Sequence, residues 1–418
     1  MTMTVSAAGA VIGLVIAIIM IFIKFPPVYS LLTGAVAGGL IGGADLSSTI
    51  DFMMEGAEGM VPAALRVLAA GVLAGVMIET GAATSIATAI VRAIGEKKAL
   101  FALVLAAWLL TAVGVFIVVA IMTVATIAMA IAYQANLSKP AILLAMVGGG
   151  KAGNIMSPNP NTIALADAFD LPLTTLMAAG IPAGIFGIFA AYFLSQRLKK
   201  KGSFVEEDET PETAEHLPAV WTSAAAPAAA IGLLLLNPAA GIEIDPLVAL
   251  PAGALFGALV MKKTDMFSYC ALSGLGKVSP VAVLLICTGT IAGIISNSNV
   301  AVIVTGMTEA AGMPAFVIAP LSGIVMGAAT GSTTAAAVVS AEVFGERLIE
   351  SGVDPLSAAV MIHGGANMLD HAPVGSFFHA TAAAVGMGMK ERLKLFPYEA
   401  AVGSVVMIVP VILFGWIW

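Results

Sequence analysis

The sequence predicts an all-α polytopic membrane protein made of two inverted-topology repeats, each carrying a re-entrant hairpin or broken helix. Three observations lead there. Of 418 residues, 60% are hydrophobic and only 10% charged, whereas a soluble protein carries about 25% charged residues. Too little polar surface remains to face water all round. Apolar runs such as 5–23 and 397–418 reach the ~20 residues that cross a bilayer core. Short motifs also recur in the same order in the two halves of the chain.

The first apolar run has no basic stretch before it, and Lys24 follows it, so it reads as a retained helix rather than a cleaved signal. Further spans are expected near 27–44, 61–80, 98–113, 116–134 and 173–197. The second half supplies 220–237, 244–261, 278–295, 313–328, 333–348 and 395–418. Segments 140–150 with 161–170, and 355–365 with 375–388, are too short to span alone and flank polar tips. Segments 81–97 and 265–277 read as amphipathic helices along the interface.

One polar stretch, QRLKKKGSFVEEDETPETAEHLP (196–218), divides the chain into an N-terminal membrane repeat (1–195), a linker and a C-terminal repeat (219–418). Its RLKKK cluster marks the cytoplasmic side, and a solvated loop accounts for its composition. GAVAGGL (34–40) recurs as GALFGAL (253–259), and AGVMIETG (74–81) as AGIISNSN (292–299). Pro140, Met146, Gly149, Gly150 and Pro158 recur as Pro355, Met361, Gly364, Gly365 and Pro373. These three matches lie 219, 218 and 215 residues apart. With RLKKK inside, Lys24, Glu96–Lys98, Lys262–Lys263 and KERLK (390–394) can all be placed inside too. Both termini then lie outside, and the repeats begin on opposite sides of an inner (plasma) membrane. Arg66, Arg92 and Lys139 are left to find homes at interfaces.

The polar tips are the candidate site. In hydrocarbon an unsatisfied backbone amide costs several kcal/mol, so non-helical backbone is tolerated only inside protein or beside a wet cavity. The stretch GGGKAGNIMSPNPN (148–161) is read as such a break: Pro158 and Pro160 stop the helix. Asn154, Ser157, Asn159, Asn161 and Thr162 offer compact donors and acceptors there. An extramembrane loop is the competing reading. A second such stretch, HGGANMLDHAPVGSFFHA (363–380), at the equivalent place favours the site. It holds Asn367, Asp370, Ser376 and three of the four histidines, His363, His371 and His379.

Ionisable groups inside a membrane protein are functional candidates, and imidazole beside a carboxylate is suited to carrying a proton. Asp370 and His371 are therefore the expected proton-coupling pair, with His371 at the tip. Metal binding is the alternative, but adjacent Asp370 and His371 do not share one helical face as zinc ligands would. Hydrogen bonding of the histidines to tip backbone is the other.

SNSN, Ser296 to Asn299, ends one apolar run, with Glu79-Thr80 as its counterpart. TGSTT (330–334), holding Gly331, Ser332 and Thr333, breaks another and could present helix N-terminal amides to an anion. Close helix packing explains the same small residues. Glu79 is either an interfacial charge or part of the site. Lys151 either attracts an anion or snorkels to the interface.

GGGKAGNIMSPNPNTIA, AGIISNSNVAVIV, ATGSTTAAAVV and GGANMLDHAPVGSFFH followed by MKERLK together resemble the gluconate permease family of the ion transporter superfamily, over nearly the whole chain. The resemblance implies proton-coupled uptake of small hydroxy-carboxylates such as gluconate. It also implies hairpins meeting near the midplane, a scaffold plus a transport domain, a homodimer and elevator-type alternating access. Ser157 to Thr162, Ser296 to Asn299, Gly331 to Thr333, Asp370, His371 and Ser376 match the family's motifs. One position departs: Asn159 stands where the family's first tip commonly carries a histidine, replacing a titratable group by a neutral amide. Sodium therefore stays open beside the proton as the coupling ion.

The expectation is a cation-coupled symporter of a small organic anion, whose partners are that anion, membrane lipid and a second copy. A sodium-coupled carboxylate transporter is the alternative, and an anion channel the next; a channel more often shows charged rings or a carbonyl filter. An intramembrane enzyme would rest on His371 near Ser376, with no further machinery. No P-loop, structural-metal pattern (Cys270 and Cys287 are the only cysteines) or nucleic-acid-binding surface is present in the sequence, and no cofactor is expected.

Overall fold

The computed structural model describes residues 5–23, 25–209, 217–242, 244–299, 314–373 and 375–416. Lys24, the linker middle 210–216 and the chain just after SNSN, 300–313, lie outside the described residues. Among the described residues the chain is helical, with two isolated bridges and no strand. Five helices among the described residues are long and apolar enough to cross a membrane alone: Val61–Glu79, Ile117–Gln134, Leu173–Leu198, Thr264–Ser296 and Met389–Gly415. The other expected spans form shorter helices, except 333–348, whose helix is 18 residues long but carries Glu342, Glu346, Arg347 and Glu350.

One group of helices pairs through small residues. α1 (Ala7–Phe22) lies against α2 (Pro27–Ile41) so closely that a Cβ on Gly13 would sit 2.4 Å from the Gly34 carbonyl oxygen. Close backbone packing of this kind joins helices where lipid offers no hydrophobic drive. α11 (Val220–Ser223), α12 (Ala225–Leu234) and α13 (Leu236–Ala240) are followed by α14 (Pro246–Val260), which repeats the pairing with Gly253 and Gly257 against Ala230 and Ala226. α3 (Leu46–Gly59) and α4 (Val61–Glu79) both pack along α15 (Phe267–Ser296).

Two expectations change here. α3 was not expected, because its acids mask the helical pattern; Asp45 caps it by accepting from the Ser48 amide at 2.7 Å, and Asp51, Glu55 and Glu58 are exposed. Segments 265–277 and 278–295 are not an interfacial helix plus a span but one 30-residue helix. The polarity of the first part has a partner: Glu79 accepts from Ser273 and Lys277 of α15, each at 2.6 Å. The expected amphipathic helix of the first half is present as α5 (Ala82–Ile94).

The second group holds α6 (Ala99–Ala112), α7 (Ile117–Gln134), α8 (Lys139–Asn154), α9 (Pro160–Ala168) and α10 (Leu173–Leu198). It also holds α16 (Ile318–Thr330), α17 (Thr333–Glu350), α18 (Pro355–Ala366), α19 (Ser376–Ala384) and α20 (Met389–Pro410). Helical starts at Ala99, Ile117, Lys139, Pro160 and Leu173 recur 216 residues later at Ala315, Thr333, Pro355, Ser376 and Met389. The repeat register is therefore one residue longer than the proline and glycine matches suggest, since Pro140 is the second residue of its helix and Pro355 the first. Contacts obey the new register. A Cβ on Gly149 would lie 2.2 Å from the Val104 oxygen of α6, and one on Gly365 2.2 Å from the Pro320 oxygen of α16.

The same contacts correct the reading of GGGKAGN as a helix break. α8 runs through it to Asn154, its glycines serving close approach to α6 and α10, and only Ile155 to Asn159 departs from helix. Inversion of the repeats follows from the linker. Ser138 at the start of α8 donates to the Leu198 oxygen at the end of α10 at 2.7 Å. Ser203 donates to Glu391 at the start of α20, from amide and hydroxyl, at 2.6 Å each. The end of α10 and the start of α20 thus share one side, so these equivalent helices run in opposite directions.

The linker is accordingly more than a solvated loop. Buried Lys139 donates to Glu209 at 2.6 Å and to the Gly386 oxygen at 3.3 Å, strapping the start of α8 to the turn before α20. KERLK is also not wholly a surface cluster. Arg392 is fully buried, donates to Glu399 at 2.6 and 2.9 Å, and lies 4.6 Å from the Phe378 ring centroid, joining α20 to α19. Arg66 of α4 binds Asp245 at 2.8 Å and also Asp167 of α9, beside a cavity of about 320 Å³, and so links the two helix groups.

Two predictions follow from these charges. Arg392→Met strands the buried Glu399 carboxylate and should cost about 3–5 kcal/mol of stability; adding Glu399→Leu should recover most of it, read as Tm in detergent. The Glu206 amide, and then Lys139, hold the Glu209 carboxyl below its ordinary value of 4.5. A depressed carboxylate contributes above that value and loses its contribution as pH falls below it. Proteolysis around Ser203 and Glu209 should therefore be slow at pH 7 and accelerate once the pH falls below the ordinary carboxylate value; acceleration with rising pH would reverse the assignment.

Candidate functional site: the junction of the two hairpin tips

The tips of the α8–α9 and α18–α19 pairs meet, and their polar groups satisfy one another. Proline geometry starts the first tip. Pro158 and Pro160 end one helix and begin the next, and Asn159 caps α9 by accepting from the amides of Asn161 at 2.7 Å and Thr162 at 3.2 Å. The Asn159 side-chain amide donates to Asn154 Oδ1 at 2.9 Å and to Ser157 Oγ at 2.7 Å. Asn161 donates to the same Asn154 oxygen at 3.1 Å. The first tip is thus folded around Asn154.

Asn154 and Lys151 carry the bond to the second tip. Asn154 Nδ2 donates to Asn367 Oδ1 at 3.0 Å. Lys151 Nζ donates to the Asn367 carbonyl oxygen and to Asp370 Oδ1, and stands 3.3 Å from His371 Nδ1. In the corrected register Lys151 is equivalent to Asn367, and Asn154 to Asp370. One residue pair on α8 therefore crosses its own structural equivalents at the pseudo-two-fold junction.

TGSTT joins the same network. Gly331 takes a left-handed turn with φ 60°, and a Cβ there would lie 2.6 Å from Gly375 backbone. That turn leaves Ser332 to cap α17, accepting from the Ala335 amide at 3.3 Å. Thr333 then donates to Asp370 Oδ2 at 2.6 Å, and Thr334 donates to Asn161 Oδ1. Asp370 thus receives Lys151 on one oxygen and Thr333 on the other.

His371 is buried, and its protonation can be read from its partners. Nε2 faces the Phe396 carbonyl oxygen at 3.1 Å, an atom that only accepts, so Nε2 carries hydrogen. Nδ1 is left as an acceptor toward Lys151 in the neutral ring, 3.4 Å from Asp370 Oδ1. A second proton on Nδ1 would face that carboxylate.

The structure brings together Asn154, Ser157, Asn159, Asn161, Thr333, Asn367, Asp370 and His371, all buried. Thr162 is buried within α9 without a side-chain partner among the described residues. Ser332 serves as a cap rather than touching the other tip. Ser376 is exposed at the first turn of α19. SNSN terminates α15: Asn297 donates to the Gly293 oxygen and Ser298 to the Ile295 oxygen, and the Val5 amide donates to the Asn297 oxygen. Ser296 and Asn299 are exposed there. The described bonds of this segment lead to its own helix and the N-terminus, not to the tips. Exposed His379 donates to the Pro373 oxygen at 2.9 Å, while His363 is fully buried with neither ring nitrogen bonded among the described residues.

Two members were undervalued in the sequence. Lys151 does not snorkel; it is fully buried at the junction. Thr334 was passed over in favour of its neighbours. For Lys151 the available signal was its placement three residues before Asn154, on one helix face.

The sequence pattern of the GntP family permeases matches residues 1–246. The chain is 53% identical over 414 residues to an uncharacterized transporter of Haemophilus influenzae, with 99% of each chain covered. An uncharacterized permease of the same organism is 23% identical over 198 residues, covering 46% of this chain and 40% of that one. Among solved structures, the YdaH transporter of Alcanivorax borkumensis, described as having an unusual topology, superposes with a TM-score of 0.63 over 89% of each chain. At 17% identity that likeness concerns the fold alone. With this fold and this family match, the chain belongs to the GntP permease family and is a multi-pass membrane transporter.

Proposed function

We propose that this transporter is a secondary active symporter that takes up a small organic anion, gluconate or a related hydroxy-carboxylate, together with a proton. The observation that carries the reading is the closed polar junction: two inverted hairpin tips bury a lysine, an aspartate and a histidine with a shell of amides and hydroxyls. Such groups are costly inside a membrane unless they serve a path for ions or substrate. Asn, Ser and Thr side chains suit the carboxylate and hydroxyls of a sugar acid, since they both donate and accept. His371 and Asp370 carry the coupling proton, which passes by way of His371 Nδ1 to the Asp370 carboxylate.

Alternating access is of the elevator type. The helices bearing the tips move as a transport domain against α1–α4 and α11–α15, and the Arg66 pairing with Asp167 lies on the boundary that must slide. The linker faces the cytoplasm, both termini face outward from the inner membrane, and the protein works as a homodimer. The same oxygen-rich tip chemistry would suit a sodium-coupled carrier, the second reading, and ion substitution separates them.

The test is uptake of labelled gluconate and a panel of hydroxy- and keto-acids by proteoliposomes, with proton and sodium gradients imposed separately. Uptake should be saturable and driven by an inward proton gradient. His371→Ala should abolish gradient-driven uptake while leaving counterflow exchange partly intact. Unchanged pH-dependent uptake by that variant would remove His371 from the mechanism.

A further inference from the structure

Lys151 places a positive charge at the centre of the junction between the two tips. Its ammonium is enclosed by a main-chain carbonyl (Asn367), a carboxylate (Asp370) and a ring nitrogen (His371), and is fully buried. The carbonyl and the carboxylate are oxygen ligands of the kind hard cations take. The three ammonium protons match the three acceptors, so the tethered amine completes the site without an added ion.

We propose that the Lys151 ammonium is the resident cation of the coupling site, and that substrate carboxylate and one proton together replace its ion pair with Asp370. The inference rests on the symporter reading above. In the closed empty form Lys151 and Asp370 cancel. When a substrate carboxylate takes the ammonium, Asp370 loses its partner, and a buried unpaired carboxylate takes a proton instead. The balance is one O–H bond formed on Asp370, with the proton drawn from water through His371 Nδ1. The loaded form then holds Lys151 positive, substrate negative and Asp370 neutral. Both forms that cross the membrane are uncharged at the site, and charge inside a bilayer is what makes crossing expensive. A proton alone or an anion alone would leave net charge and hold the carrier still. Coupling follows from that exclusion.

The surroundings leave this pair in control. α6 and α7 contain no charged residue, and α10 contributes only Arg197 in its last turn. On α9, Asp167 is taken by Arg66, and on α20 Arg392 is paired with Glu399. On α17, Thr333 meets Asp370 as a neutral hydroxyl, and Glu342 lies more than two turns further along. His379 of α19 is exposed and bound to the Pro373 oxygen, and His363, the remaining titratable group of α18, is buried and unbonded among the described residues.

The experiment compares Tm in detergent with sodium chloride against choline chloride. Wild-type protein should be indifferent to the cation. Lys151→Ala vacates the site beside Asp370 and the Asn367 carbonyl, and should gain a sodium-dependent rise of about 3 °C or more. Lys151→Ala with Asp370→Asn should lose that rise. A sodium-dependent rise in the wild type, or none in Lys151→Ala, would overturn the proposal. Should Lys151→Ala not fold, wild-type proteoliposomes decide. Gluconate uptake should consume one proton per anion and ignore a valinomycin-imposed potassium potential; electrogenic uptake overturns the proposal. Absence of proton-driven uptake in the wild type would instead defeat the symporter reading, while the Tm comparison still reports on Lys151.

Discussion

A lysine ammonium fully enclosed within a membrane protein must find acceptors on every side, and at Lys151 all of them belong to the opposite repeat. That single requirement ties the two halves of the chain together. Asp370 could not remain charged at its depth without the ammonium and the Thr333 hydroxyl. Neither tip could keep its non-helical backbone buried without the asparagine network that closes around Asn154. The ion pair is thus a condition of the architecture before it is part of a mechanism.

The repeats are equal in path and unequal in chemistry. Five helical starts recur at a constant spacing, and the glycine contacts at Gly149 and Gly365 are near copies. Yet the ionisable groups are divided: the first tip supplies a cation and neutral amides, the second an anion and an imidazole. A symmetric pair of like charges would repel across the junction. The departures extend outward, since Arg392 and Glu399 correspond in the first repeat to Leu176 and Ala183. A buried ion pair therefore braces only the second tip against the helix that follows it.

Much of this was legible in the sequence, because a membrane chain must place polar residues sparingly. Pro158, Asn159 and Pro160 announced a tip, and Asp370-His371 announced another; the structure brings both to one place. Helix α3 was hidden because Asp51, Glu55 and Glu58 dilute its apolar pattern. The polar start of α15 looked interfacial because its partner, Glu79, lies almost two hundred residues away in the chain. Lys151 stays ambiguous in the sequence for the same reason: snorkelling is the usual fate of a membrane lysine, and only the fold reveals Asp370 beside it. The glycines before it looked like helix breakers, whereas contact with α6 and α10 keeps them helical. Periodicity finds elements; long-range charge partners come only with the fold.

The transporter assignment draws on the fold, the family and the junction together, and the junction is where the physical account can fail. Its most direct test is a cysteine pair, Asn154→Cys with Asn367→Cys, in a chain whose Cys270 and Cys287 have been replaced. These side chains touch across the two tips. In native membranes an oxidant or a short bifunctional reagent should link the pair, and the link should resist removal of the linker by protease. No link, with each single cysteine instead labelled from water by a membrane-impermeant reagent, would mean that the tips do not meet.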